Sequence, residues 1–173
     1  MKKSLLIIIC VLTFGANTFS QTFSSGVINT AIPNNGSGIT ININVSGLPS
    51  VMNNSFGLES LCLDITHTSV NNIEAYLIAP NGVNVALTTQ NGADGDNYTG
   101  TCFSMAASQS VINGSAPFTG SFKPQGNFGA VNNGNPNGLW KLVVVDIIPA
   151  DNNSGTLVSW SLTFSSTPAQ ALT

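Results

Sequence analysis

Charge is the scarcest property of this sequence: 6% of its 173 residues are charged, and its four basic residues are all lysine. No cluster of cations exists to neutralise phosphates, so nucleic acid is excluded as a partner. Beyond the opening segment no stretch is apolar or basic enough to bind a membrane by itself. A sustained 3.6-residue apolar period is missing too, which argues against helices, and there is no tandem repeat or second domain. With so few charges, solvent-facing polarity falls to Asn, Ser, Thr and Gly, which favour turns and strand surfaces.

The opening "MKKSLLIIICVLTFGANTFSQ" has Lys2 and Lys3, an uncharged run from Leu5 to Phe14, and small residues Thr18 and Ser20. This is the layout of a secretory signal peptide over residues 1–20, and its apolar run is too short for a permanent bilayer span. It predicts a secreted or cell-surface protein. Cys10 follows Ile9 inside the apolar run, where a lipoprotein signal carries a small residue, so it belongs to the discarded segment. Cleavage after Ser20 leaves Lys123 and Lys141 against seven acidic residues, a net charge of −5. The remaining length suits one domain with a real core.

Two cysteines remain, Cys62 and Cys102. In an oxidising compartment their pairing is the default, and closing a loop of that length stabilises a fold by about 4 kcal/mol at the upper end. Neither has a histidine or second cysteine at ligand spacing, which disfavours a metal-binding thiol.

The strong patterns have period two. "ITININV" (39–45) alternates Ile39, Ile41, Ile43 and Val45 with polar residues; "SLCLDIT" (60–66) puts Leu61, Leu63 and Ile65 on one face. "IEAYLIAP" (73–80), apolar enough for burial on both sides, and "VNVALT" (83–88) flank the turn Pro80-Asn81-Gly82 and predict a hairpin. "LWKLVVVDI" (139–147) reads as a strand, and "TLVSWSLTF" (156–164) puts Val158, Trp160, Leu162 and Phe164 on one face. Residues 89–137 are Gly, Asn and Pro clusters with short apolar islands, read as long loops. The expected fold is all-β, an antiparallel β-sandwich.

"DITHTSVNNIEAYLIAPNG", "NGADGDNYTGTCF", "APFTGSFKPQGNFGAVNNGNPNGLWKLVVVD" and "SGTLVSWSLTF", in that order, resemble the successive motifs of the P domain, or P/homo B domain. This module follows the subtilisin-like catalytic domain of kexin- and furin-type proprotein convertases and occurs in secreted bacterial proteins. The resemblance covers about Ile39 to Phe164. It divides the chain into signal peptide (1–20), N-terminal extension (21–38), P domain (39–164) and short tail (165–173). It implies a jelly-roll β-sandwich similar to galactose-binding modules. It also implies a non-catalytic accessory role, stabilising or docking to a subtilisin-like serine endopeptidase. His67, Thr68, Pro80, Gly82, Gly138, Trp140, Asp146, Gly155 and Trp160 match motif positions and are implied to be structural. The family's Asp-Leu after the histidine is replaced by Asn72-Ile73, so an ion pair from that aspartate is lost.

Several residue sets invite a chemical reading. Asp64, His67 and Ser69 lie close in sequence, but no nucleophile elbow or oxyanion loop accompanies them, and a structural histidine is the better account. Ser104-Met105-Ala106 echoes the residues around a subtilisin-type nucleophile, yet Cys102 and Phe103 displace the preceding Gly-Thr and no Pro follows. Asp94, Asp96 and Asn97 form a candidate calcium loop, since hard calcium ions take carboxylate and amide oxygens. The competing reading is an Asx/Gly-rich turn; Ser104 and Met105 stand where many relatives carry further acids. Tyr98, in that loop, is placed to face solvent, whereas Trp140 and Trp160 are expected in the core. A cell-surface adhesion or carbohydrate-binding module is therefore the alternative function, and a free-standing enzyme a third.

Overall fold

The computed structural model describes residues 19–168. They form ten strands: β1 Ser20–Ser24, β2 Thr30–Ile32, β3 Gly38–Val45, β4 Gly57–His67, β5 Ile73–Ile78, β6 Asn84–Thr89, β7 Tyr98–Phe103, β8 Phe118–Phe122, β9 Gly138–Asp146 and β10 Gly155–Ser165. One sheet runs β1-β10-β4-β7-β8, with β2 also pairing β10; the other runs β3-β9-β5-β6. Every pairing is antiparallel except β7 with β8. The all-β sandwich read from the sequence is the fold observed.

Alternation explains the layers. Leu61, Leu63 and Ile65 of β4 are buried, while Cys62 and Asp64 between them are half-buried on the outer face. Trp140 of β9 and Phe164 of β10 meet edge to face between the sheets, with ring centroids 5.5 Å apart. Burying each such ring contributes about 1.5–3 kcal/mol. The β5–β6 hairpin forms, with Gly82 at φ 86° closing its turn. β5 keeps Ile73, Ala75 and Leu77 fully buried and its other face half-buried.

Two local readings change. Val158 does not share the face of Trp160. A register shift between Leu157 and Ser159 turns Leu157 inward and leaves Val158 half-buried, and the Val158 carbonyl accepts from the N–H groups of Ile28 and Asn29. Such a bulge inserts one residue and breaks the period of two. The span 89–137 also holds two strands, β7 and β8, rather than loops alone. Each carries a mid-strand glycine at positive φ, Gly100 at 56° and Gly120 at 84°. β7–β8 pairing shifts register between Thr99 and Thr101, which scrambles the alternation that marks a strand.

The stretch expected as an N-terminal extension carries β1 and β2, both paired to β10. The expected signal segment lies outside the described residues except for Phe19 and Ser20. Ser20 pairs with Ser165, and the Phe19 ring lies 5.9 Å from that of Phe56. Among the described residues no helix is long and apolar enough to cross a membrane.

Candidate functional site at the His67 end of the sandwich

β4 ends at His67 and β9 at Asp146, one from each sheet. The two side chains are fully buried, with His67 Nε2 3.2 Å from Asp146 Oδ2. The backbone N–H of Ser69 donates to His67 Nδ1 at 3.1 Å. Nδ1 is therefore an acceptor, and the ring presents its Nε2–H to Asp146. Asp146 Oδ1 accepts from Ile148 N–H at 3.2 Å. Both ring nitrogens are occupied, and the pair closes one end of the core by joining the sheets. Gly155 makes this packing feasible: a Cβ there would collide with His67 Cδ2.

The local triad of Asp64, His67 and Ser69 does not assemble. Asp64 faces the other way, taking the Gly100 N–H on Oδ1 and the Ser159 hydroxyl on Oδ2 at 3.2 Å. Its carboxylate satisfies the amide at the β7 bulge. The Ser69 hydroxyl approaches Asn72 Oδ1 at 3.5 Å, not the ring. Ser104 Oγ accepts from Ala106 N–H in its own turn.

Asn97 is backbone architecture. Its Oδ1 accepts the His67 N–H at 2.9 Å, and its own N–H donates to the His67 carbonyl at 3.1 Å. Asp94 and Asp96 are exposed, and no group of three His, Cys, Asp or Glu side chains that could hold a metal ion occurs among the described residues. Tyr98 is not exposed: it is 1% accessible and stacks on Phe118 with centroids 4.8 Å apart. Its hydroxyl meets Thr88 Oγ1 at 3.1 Å, and burial pushes its pKa up to about 12.

A polar node that sequence reasoning missed flanks His67. Asp151 Oδ1 accepts from Asn34 Nδ2 at 3.0 Å and from Asn153 N–H at 2.9 Å. Asp151 Oδ2 accepts from Asn153 Nδ2 and Asn72 Nδ2, both at 2.6 Å. These hydrogen bonds, those of Asn153 foremost, hold the Asp151 carboxyl below its ordinary range against an opposing desolvation cost. Asn72 thus donates to an aspartate instead of forming an ion pair. In sequence "ADNNSG" looks like any Asx turn, so nothing marked this node. Thr68 joins it, its hydroxyl donating to Asn153 Oδ1 at 2.9 Å and accepting from Ser154 N–H at 3.2 Å.

The remaining motif positions also make packing contacts. Gly138, at φ 134°, lies against Pro80, where a Cβ would approach to 2.9 Å. Trp140 and Trp160 are buried, and Trp140 Nε1–H donates to the Pro136 carbonyl at 2.7 Å. The Cys62–Cys102 disulfide is formed between directly opposed residues of β4 and β7, Cα atoms 3.9 Å apart. It staples two strands on the sheet's outer face. Beside His67 an open cleft of about 540 Å³ is lined by Thr66, Thr68, Asp96, Ser154 and Thr156, with Ala31 and Ile32 at its apolar side.

Residues 60–164 match the family model of the proprotein convertase P-domain. Curated proteins yielded no match in sequence. The fold resembles that in the crystal structure of the Aeromonas sobria serine protease with its chaperone, at 15% identity and TM-score 0.55, over 89% of this chain and 27% of that one. The structure of the A. sobria serine protease aligns at 13% identity and TM-score 0.52, over 86% and 27%. The chain thus spans about a quarter of the length of these solved relatives.

Proposed function

We propose, from the premise that this chain belongs to the proprotein convertase P-domain family, that it is a secreted, non-catalytic module that docks on and stabilises a subtilisin-like serine endopeptidase domain. The family match over most of the sandwich carries the reading. The use of both His67 nitrogens in structural hydrogen bonds supports the non-catalytic part. Jelly-roll winding belongs to the same reading. Co-expression of a subtilisin-like catalytic domain from the same genome should yield more folded, active peptidase with this chain than without it. Equal yield and equal melting temperature in both cases would remove the docking role. The purified chain is expected not to hydrolyse casein, and His67→Gln to change stability alone. Turnover that disappears in His67→Gln or Ser104→Ala would make it an enzyme.

The hydroxyl-lined cleft favours the second reading, an adhesion or carbohydrate-binding module, because neutral sugars are held by such donors and acceptors. Saturable binding of a neutral oligosaccharide, abolished by filling the cleft with Thr156→Trp, supports it. Calcium is carried as a narrower proposal on Asp94 and Asp96 alone. Bound calcium raises the melting temperature by linkage, and Asp94→Asn with Asp96→Asn removes the response; identical melts in calcium and chelator reduce the loop to a turn.

A further inference from the structure

We propose that the Asp151 node is a calcium-binding site, separate from the Asp94–Asp96 loop, to which Asp151, Asn153 and Asn34 supply oxygens. Three oxygens converge on one point there. The Asp151 carbonyl, Asp151 Oδ1 and the Asn153 carbonyl lie 2.8, 3.0 and 2.8 Å from Asn34 Nδ2. An amide nitrogen carries two hydrogens, so it cannot serve three acceptors fully. At the other end of the same amide, Asn34 Oδ1 is buried and accepts from no donor among the described residues, which is costly. Hydrogen bonding alone leaves this side chain overcommitted at one end and idle at the other. The oxygen and nitrogen of an amide have nearly the same shape, and a half-turn of the group exchanges them. Asn34 Oδ1 then joins the other three oxygens, an arrangement that repels itself unless a cation sits among them.

The donor set selects calcium. It holds no thiolate, and the neighbouring His67 imidazole has both nitrogens engaged, so a softer metal finds no ligand. A carboxylate, an amide and two backbone carbonyls are the hard oxygens that calcium takes in a flexible shell completed by water, whereas magnesium demands a tighter octahedron. At calcium's metal–oxygen distances, neighbouring ligand oxygens stand about 2.8–3.4 Å apart, a range that contains the three contacts of Asn34 Nδ2. Asp151 Oδ2 is held from behind by Asn72 and Asn153, which leaves Oδ1 for the ion. Asp151 is the one charged ligand, so the site belongs with weak extracellular ones, with a dissociation constant of about 0.1–1 mM. Asn34 follows β2, and Asp151 and Asn153 lie between β9 and β10. The ion thus pins the loop after β2 to the β9–β10 loop, beside the hydrogen bond that the Ala150 N–H donates to the Asn34 carbonyl at 3.2 Å.

Thermal melting of the full chain tests this. A ligand that binds only the folded chain raises the melting temperature, and a rise of a few degrees is expected at about 10 mM calcium relative to chelator. Magnesium at the same concentration should not reproduce it. Melting in the Asp94→Asn, Asp96→Asn background isolates the node: a rise should remain there and vanish when Asp151→Asn is added. Asn34→Asp supplies a second carboxylate. It is expected to melt lower than wild type in chelator and, in isothermal titration, to bind calcium about tenfold more tightly or better, since ligand charge sets affinity. Should Asp151→Asn not fold, Asn34→Asp decides. Identical wild-type melts in calcium and chelator overturn the proposal. So does a rise that magnesium reproduces, that the Asp94→Asn, Asp96→Asn background abolishes, or that survives Asp151→Asn. An Asn34→Asp chain that binds calcium no more tightly than wild type overturns it as well.

Discussion

Two tethers hold this sandwich, and they act on different states of the chain. Cys62–Cys102 joins neighbouring strands of one sheet on its outer face, where backbone pairing already fixes their register. His67–Asp146 joins the two sheets within the core, where no backbone ladder connects them. The covalent tether chiefly restricts the unfolded chain, by closing a 40-residue separation. The polar tether determines how β4 and β9 meet, and its value depends on both partners being present, since a buried charge without its partner is costly. A sheet-to-sheet contact is specified by its side chains; a strand-to-strand contact needs only register.

The sharpest test of this contrast is His67→Ala, which leaves the buried Asp146 carboxylate without its partner. Removing one partner of a buried pair is expected to cost about 3–5 kcal/mol, read from urea unfolding at unchanged reductant. Adding Asp146→Ala should cost much less than a second such amount, because the pair acts as a unit. Additive losses would show that the two residues stabilise separate regions.

Opening the disulfide ranks next. Cys62→Ser is expected to lose about 2–4 kcal/mol while leaving the His67–Asp146 geometry intact, and reductant should produce the same loss in the wild type. Thiol labelling of the denatured, unreduced protein checks the bond itself. Two free thiols would remove the covalent half of the comparison. The bond holds β7 against β4, and with it the 91–97 loop only through its exit into Tyr98.

Tyr98→Phe deletes the hydroxyl that meets Thr88 and keeps the stack on Phe118. A loss of about 1 kcal/mol is expected, the net worth of one hydrogen bond, and a change beyond about 3 kcal/mol would mean that the hydroxyl orders a larger network.

The smallest effect is expected beside the polar tether. The Asp151 carboxyl is held below its ordinary value of 3.8 by donors from Asn153, Asn72 and Asn34. A depressed carboxyl contributes stability that is present above the unfolded value and is lost as pH falls through the folded one. Melting temperatures in acid should therefore decline less steeply in Asp151→Ala than in wild type below pH 3.8. Parallel curves would show that the node is silent in acid.

The sequence by itself determined the class of fold and its main strands. Alternation in 39–45, 60–66 and 156–164 and the Pro80-Asn81-Gly82 turn are local signals, because a period of two and a turn's φ requirements act within a few residues. The motif order identified the family, and the cysteine count anticipated the bond. Tertiary structure alone decided where the polar side chains went. His67 chose Asp146, 79 residues away, over Asp64 three positions back, because β4 alternation sends Asp64 outward and His67 inward. Tyr98 looked solvent-facing beside its polar neighbours, yet β8 supplies a ring to stack on. Asn34, Asn72 and Asn153 gather on Asp151 from three separate segments. The bulges at Gly100 and between Leu157 and Ser159 erased the period that would have marked β7 and placed Val158. A hydrogen bond between distant segments leaves no periodic trace along the chain; it exists only once packing has brought its donor and acceptor together and removed the competing water.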